Sequence, residues 1–148
     1  MKRAIPLLAT ALLASCAADR APLVVKTYQL RDQEREPDAD PMARMEKHRR
    51  LLGAVSLEQR RGRLGQYYTV LWNDPAAGTP VTVTFEYQQG GSRVKRMTRD
   101  FPADAVEGRA EFAITGDDYS ENGRVLAWHV TLERGGNELA SRQSYLWR

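Results

Sequence analysis

Val81-Thr82-Val83-Thr84-Phe85-Glu86-Tyr87-Gln88 sets Val, Val, Phe and Tyr against Thr, Thr, Glu and Gln in a strict two-residue period. Successive side chains of an extended chain point to opposite faces, so this stretch predicts a strand with one buried and one solvated face. A helix would need its apolar residues three and four apart. Gly90-Gly91 closes the strand. The segment ahead of it repeats the pattern, with Tyr68, Val70 and Trp72 alternating with Tyr67, Thr69 and Leu71 until Asn73-Asp74-Pro75 turns the chain.

Working outward toward the C-terminus, residues 93–101 continue as a polar strand before Pro102, and Ala110, Phe112 and Ile114 mark a short strand closed by Gly116-Asp117-Asp118. The last piece predicts a hairpin. Leu126, Trp128, Val130 and Leu132 share a face, Arg134-Gly135-Gly136-Asn137 turns the chain, and Leu139, Ser141, Gln143, Tyr145 and Trp147 return. A two-residue Gly-Gly turn puts Leu139 opposite Leu132 and Tyr145 opposite Leu126. It also sets Glu133 against Glu138, an unfavourable pair, so a looser turn stays open.

Toward the N-terminus, Leu23–Leu30 is β-branched and aromatic enough for a first strand. Arg31–Asp40 reads as a charged, mobile connection. Asp40-Pro41 then has the form of a helix start, Asp capping and Pro in the first turn, with Met42, Met45 and Leu52 near one face, Glu46 and Arg50 four apart, and Gly53 as the stop. Ser56-Leu57-Glu58-Gln59 has capping-box spacing for a second, shorter helix, whose last turn gathers Arg60, Arg61 and Arg63 before Gly65.

Short strands at this spacing, without helices between them, predict a mainly β fold. The expected form is an antiparallel β-sandwich over 23–148 with one or two short helices inserted after the first strand, about 41–64. In architecture it resembles immunoglobulin-like and fibronectin-type-III-like domains, without the paired cysteines of true immunoglobulin domains. Architecture alone implies no activity.

The chain of 148 residues is 42% hydrophobic and 28% charged, which suits one folded domain rather than a disordered chain. Its net charge is +3, from 22 basic and 19 acidic groups. Lys2 and Arg3 belong to an apparent leader, and without them the balance is 20 against 19, or +1. Basicity is therefore no argument for a nucleic-acid partner.

Met1-Lys2-Arg3 is a positive start, and Ala4–Leu13 is an apolar run broken only by Pro6 and Thr10. That is the layout of a secretory signal. The run is too short to span a bilayer, which takes about 20 residues. Leu13-Ala14-Ser15-Cys16 resembles the lipobox of bacterial lipoproteins, and Cys16 is the only cysteine. The resemblance implies a signal peptide over 1–15, a covalent lipid on Cys16 and a tether over 16–22, in an exported protein anchored to a membrane. Ala17 in place of the aspartate of inner-membrane retention implies the outer membrane. An ordinary signal peptide cut elsewhere, for instance after Ala18, is the other reading. With one cysteine, no disulfide forms within the chain.

Three sets of residues carry what chemistry the sequence offers. Asp118-Tyr119-Ser120-Glu121-Asn122-Gly123 resembles the start of an EF-hand loop, but position nine is Leu126 and position twelve is His129 where a bidentate glutamate belongs. A different calcium site using Asp117, Asp118, Ser120, Glu121 and Asn122 stays open beside the plainer reading of a polar turn, as does a corner role for Tyr119. Arg44, Lys47, Arg49, Arg50, Arg60, Arg61 and Arg63 oppose only Glu46 and Glu58, and suggest either a solvated helix face or a surface for anionic headgroups. Arg93, Lys95, Arg96 and Arg99 suit the protection of an edge strand. His129 falls on the solvated face of its strand, and no nucleophile elbow, Cys/His ligand spacing or phosphate loop occurs.

The expectation is a non-catalytic, lipid-anchored envelope module that binds membrane headgroups or another envelope protein, with no nucleic-acid partner and no confident metal. A calcium- or glycan-binding module and an envelope hydrolase built on a carboxylate pair are the alternatives.

Overall fold

The computed structural model describes residues 21–32, 40–91 and 93–148. The leader, Cys16 and most of its tether, and residues 33–39 of the connection after the first strand lie outside the described residues.

Among the described residues, seven strands form two antiparallel sheets packed face to face. Strands β1 (Leu23–Leu30), β2 (Gly65–Asn73) and β5 (Glu107–Thr115) make one, in the order β1-β2-β5. Strands β3 (Val81–Gln89), β4 (Lys95–Phe101), β6 (Val125–Arg134) and β7 (Asn137–Gln143) make the other, in the order β4-β3-β6-β7. In a constant-type immunoglobulin sandwich the fourth strand joins the sheet of the first, second and fifth. Here β4 pairs with β3 instead, giving the three-plus-four division of a fibronectin-type-III-like arrangement.

The two-residue period explains the core. Val81, Val83, Phe85 and Tyr87 of β3 face Tyr68, Val70 and Trp72 of β2 and Ala110, Phe112 and Ile114 of β5 across the sandwich. Phe85 is the hub, its ring 4.6 Å from Tyr68, 5.1 Å from Phe112 and 5.5 Å from Tyr87. A close approach fixes one glycine: a Cβ on Gly108 would lie 2.6 Å from Nε1 of Trp72, so only glycine lets the indole lie against β5. That Nε1 is buried without a hydrogen-bond partner among the described residues.

Two β-bulges correct the expected hairpin. The turn is the tight one, Arg134 pairing with Asn137 across Gly135 and Gly136, whose φ angles of 55° and 82° suit the paired left-handed conformation of a tight hairpin. Glu133 does oppose Glu138, but the register then shifts, so that Leu132 faces Ala140 and Leu139 is left out and exposed. The like-charge pair is tolerated because it stands at the solvated end of an edge strand. A second bulge pairs Gln88 with Ala127 and Gln89 with Val125, turning Leu126 outward while Val125 is buried. Tyr145 lies beyond the end of β7 and does not meet Leu126. The chain is instead held by Ser144, whose N–H donates to the Trp128 carbonyl (2.9 Å) and whose Oγ accepts from the Trp128 N–H (2.9 Å).

Both expected helices form between β1 and β2. In α1 (Pro41–Leu51) Asp40 caps by accepting from the Met42 N–H at 2.7 Å, with Pro41 in the first turn. In α2 (Leu57–Arg61) Ser56 and Gln59 complete the capping box. The predicted polar turn at Gly116-Asp117-Asp118 is instead a third helix, α3 (Gly116–Asn122), linking β5 to β6. Two aspartates in its first turn favour it, and the Gly123 N–H closes it on the Tyr119 carbonyl at 2.9 Å. Among the described residues no helix is long and apolar enough to cross a membrane.

Candidate functional site

Among the described residues, three clusters of ionisable groups outside the core contain residues singled out from the sequence. Cys16, the lipidation residue, falls outside the described residues.

The first cluster joins the helices to the outer face of the three-stranded sheet. Cross-strand pairing sets Tyr28 beside Tyr67, Lys26 beside Thr69, and Thr69 beside Glu111, on that face. Neither α1 nor α2 buries a single residue, so apolar packing does not hold them. Charge-assisted bonds do. Arg50, with its side chain only 10% exposed, donates to Glu46 (2.8 Å) and Glu111 (3.2 Å), and its guanidinium lies 4.1 Å from the centre of the Tyr67 ring. Arg49 donates to Glu46 at 2.7 Å and Glu111 at 3.3 Å, and Arg109 also donates to Glu111. Arg63 donates to the carbonyls of Arg50 (2.9 Å) and Leu52 (2.6 Å), and the Tyr67 hydroxyl donates to the Arg63 carbonyl at 2.6 Å. Donation from Arg49, against the cost of burial and with help from Arg50, brings the Glu46 pKa down to about 2.

The expected basic surface is thereby divided. Arg49, Arg50 and Arg63 serve the fold. Arg44, Lys47, Arg60 and Arg61 line two adjoining concavities beside α1 and α2, of about 430 and 440 Å³, which share Lys47, Leu51 and Arg60. Arg31, Asp32, Leu57 and Leu64 complete the first.

The second cluster surrounds α3. Asp118 turns inward and accepts from the Tyr87 hydroxyl (3.0 Å), Asn122 Nδ2 (3.0 Å) and Lys95 Nζ. Gln89, 1% exposed, donates to the carbonyls of Asp118 (3.0 Å) and Gly123 (2.8 Å) and accepts from Lys95 at 3.1 Å. Burial opposes the Asp118 charge, but donation from Lys95 and Tyr87 outweighs it and holds the carboxyl below its ordinary range. The same contact works the other way on Tyr87, where burial first and Asp118 second push the hydroxyl up to about 12. Asp117, Ser120 and Glu121 stay exposed on the solvent side of the helix. The helix thus separates the acidic residues that the calcium reading grouped, and no set of three His, Cys, Asp or Glu side chains among the described residues could hold a metal ion. Tyr119 takes the tying role considered for it, its hydroxyl accepting from Gln29 Nε2 of β1 at 2.9 Å.

The third cluster runs across the outer face of the four-stranded sheet. Glu86 accepts from Arg96 at 2.6 Å and lies 3.5 Å from His129 Nδ1. The expectation of an exposed His129 is corrected, since the Trp147 ring stacks on the imidazole at 5.6 Å and leaves it 21% exposed. Donation from Arg96, against burial and with help from His129, lowers the Glu86 pKa. A carboxylate held down in this way is a poor proton donor and a weak base at neutral pH. Asp74, Glu111 and Asp118 share that direction, each opposed by burial and then carried down by a cation beside it.

Two features carried no sequence signal. A concavity of about 620 Å³ lies on the three-stranded sheet beyond the helices, lined by Val24, Leu71, Asn73, Glu107 and Arg109. These residues alternate with core positions in register, and only pairing places them side by side. Arg134, read as part of a turn, is 6% exposed and bound to Asp74 Oδ2 (2.5 Å) and to the carbonyls of Thr79 (2.7 Å) and Ala105 (2.8 Å).

Comparison with protein-family models, with curated protein sequences and with solved structures found no match to this chain.

Proposed function

We propose that this chain is a lipid-anchored protein of the bacterial cell envelope, its sandwich serving as a non-catalytic structural or interaction module near the outer membrane. The observation that carries the reading is the position of the lone cysteine, Cys16, directly after Leu13-Ala14-Ser15 at the end of an apolar run. The fold supports it in two ways. Leu23 opens β1 and is already in the core, so only Ala17–Pro22 separates anchor and domain. Six residues reach at most about 20 Å, which keeps the domain at the bilayer surface. The carboxylates with shifted pKa values are each paired with a cation in a structural role, which suits a binding module better than a hydrolase.

Intact mass and N-terminal fragmentation of the mature protein from separated membranes test the anchor. The expected species begins at Cys16 and carries diacylglyceryl and acyl groups, in the outer-membrane fraction. Cys16→Ala removes the acyl groups and depletes the chain from the outer-membrane fraction. An unmodified mature terminus at any other residue overturns the reading.

A further inference from the structure

We infer that the helical insertion is a second membrane-contact point, and that its cationic groove takes the phosphates of anionic lipid headgroups. This deepens the anchored reading, but the groove and its test do not depend on an acyl group.

Arg31, Lys47, Arg60 and Arg61 surround one concavity, with Asp32 as its single carboxylate among the described residues, and Arg44 extends the cationic wall into the adjoining one. Leucines 51, 57 and 64 line the same space. Cations around an apolar floor match an amphiphile with a phosphate at one end and hydrocarbon at the other. A free inorganic anion has no use for the leucines.

The second observation is the unusual exposure of the insertion. Val55 is 88% exposed and Leu57 71%, and Met42, Met45 and Leu52 are also exposed. These lie within sixteen residues, on α1, on α2 and in the turn between them, and neither helix has a residue in the core. Apolar side chains beside Lys and Arg are the composition of an interfacial helix, whose apolar groups enter the headgroup boundary while its cations stay with the phosphates. The pairing of Arg49 and Arg50 with Glu111 of the sheet, and of Arg63 with the carbonyls of Arg50 and Leu52, holds the insertion in place without using Arg44 or Arg61, while Arg60 commits one N–H to the Ala54 carbonyl at 3.4 Å.

The groove lies at the Leu30 end of β1, whereas an anchor at Cys16 enters at the Leu23 end, about 23 Å away along the strand. A sandwich lying on its side, with the three-stranded sheet toward the lipid, brings both ends to one bilayer within the reach of the tether. The Val24–Leu71 concavity sits on that same outer face at the anchored end. The surface bearing Glu86, His129 and Trp147 then faces away.

The test is co-sedimentation of the full chain carrying Cys16→Ser, so that no acyl group is present. It uses phosphatidylglycerol/phosphatidylcholine vesicles and pure phosphatidylcholine vesicles. The expected result is preferential binding to the anionic vesicles that weakens with salt. Lys47→Glu with Arg60→Glu should reduce that binding by on the order of tenfold or more. Leu57→Ser should reduce it severalfold, and Arg124→Glu, outside the groove, should leave it unchanged. The leader contributes equally to every variant, and thermal melting confirms that each is folded. Equal binding to both vesicle types, no binding, or an equal loss with Arg124→Glu overturns the proposal. Inorganic phosphate that displaces the protein better than chloride of the same ionic strength also overturns it, in favour of a soluble-anion site. If the mature protein proves unacylated while these variants behave as expected, the anchor fails and the groove stands.

Discussion

Arg134 occupies the last position of β6, beside a Gly-Gly turn, where a long cation would ordinarily reach water. Its guanidinium instead runs inward, gathering Asp74 from the end of β2 and the carbonyls of Thr79 and Ala105 from loops on either side of β3 and β4. Asp74 in turn accepts from the Ala76 N–H at 3.1 Å. One side chain therefore fastens the connections at one end of the sandwich, as Asp118 with Lys95, Tyr87 and Asn122 does around α3. Both nodes are hydrogen-bonded networks, and the Arg134 node is the more deeply buried, with Arg134 at 6% and Asp74 at 14% side-chain exposure. Arg134→Met should destabilise the domain by about 3–5 kcal/mol, because Asp74 would be left without its buried counter-ion. Urea unfolding followed by tryptophan fluorescence measures it as a drop in midpoint at unchanged slope. A change within the range of ordinary surface substitutions would show that Arg134 is not a clasp.

At the scale of the element, the helical insertion is a piece of secondary structure well specified locally and weakly attached globally. Its caps form as the residues Asp40-Pro41 and Ser56–Gln59 require, but its attachment depends on Glu111, a β5 residue sixty-one positions from Arg50. Glu111→Gln should increase amide exchange across α1 about tenfold, the loss of about one charge-assisted hydrogen bond, while exchange in β3 and β6 stays unchanged. Hydrogen exchange read by mass spectrometry separates the two regions. Acid acts through the same bonds. The Glu46 pKa falls from 4.5 to about 2 on folding, so its contribution is complete above 4.5 and is lost as pH falls toward 2. The sequence indicates these helices from capping residues and the Glu46–Arg50 spacing. It also suggests one continuous basic face, which the fold divides, because which arginines meet a carboxylate depends on the strand beneath them.

Over the whole molecule, the carboxylates Asp74, Glu86, Glu111 and Asp118 share one direction of shift, downward, and so act together on stability. A group whose pKa falls on folding contributes stability above its unfolded value and loses it as pH drops through its folded value. The melting temperature should therefore be nearly flat between about pH 7 and 5 and fall progressively below about pH 4. Scanning calorimetry over that range checks it, and a melting temperature that rises on acidification would contradict the pairings described. The same view gives the basic strand its place. β4 is an edge of its sheet, and Lys95, Arg96 and Arg99 stand along it, as edge protection predicts.

The strands, both helices of the insertion, their caps and the sandwich architecture were legible in the residues, because period, turn residues and capping pairs act over a few neighbouring positions. Val81–Gln88 could pack in no other way than with one face buried. Its partner strands, the bulges that expel Leu126 and Leu139, the helix in place of a turn at Gly116, and the burial of Arg134 and Gln89 were decided only by tertiary structure. Each depends on a contact between segments distant in the chain, where a side chain's fate is set by the space and charge that another segment brings to it.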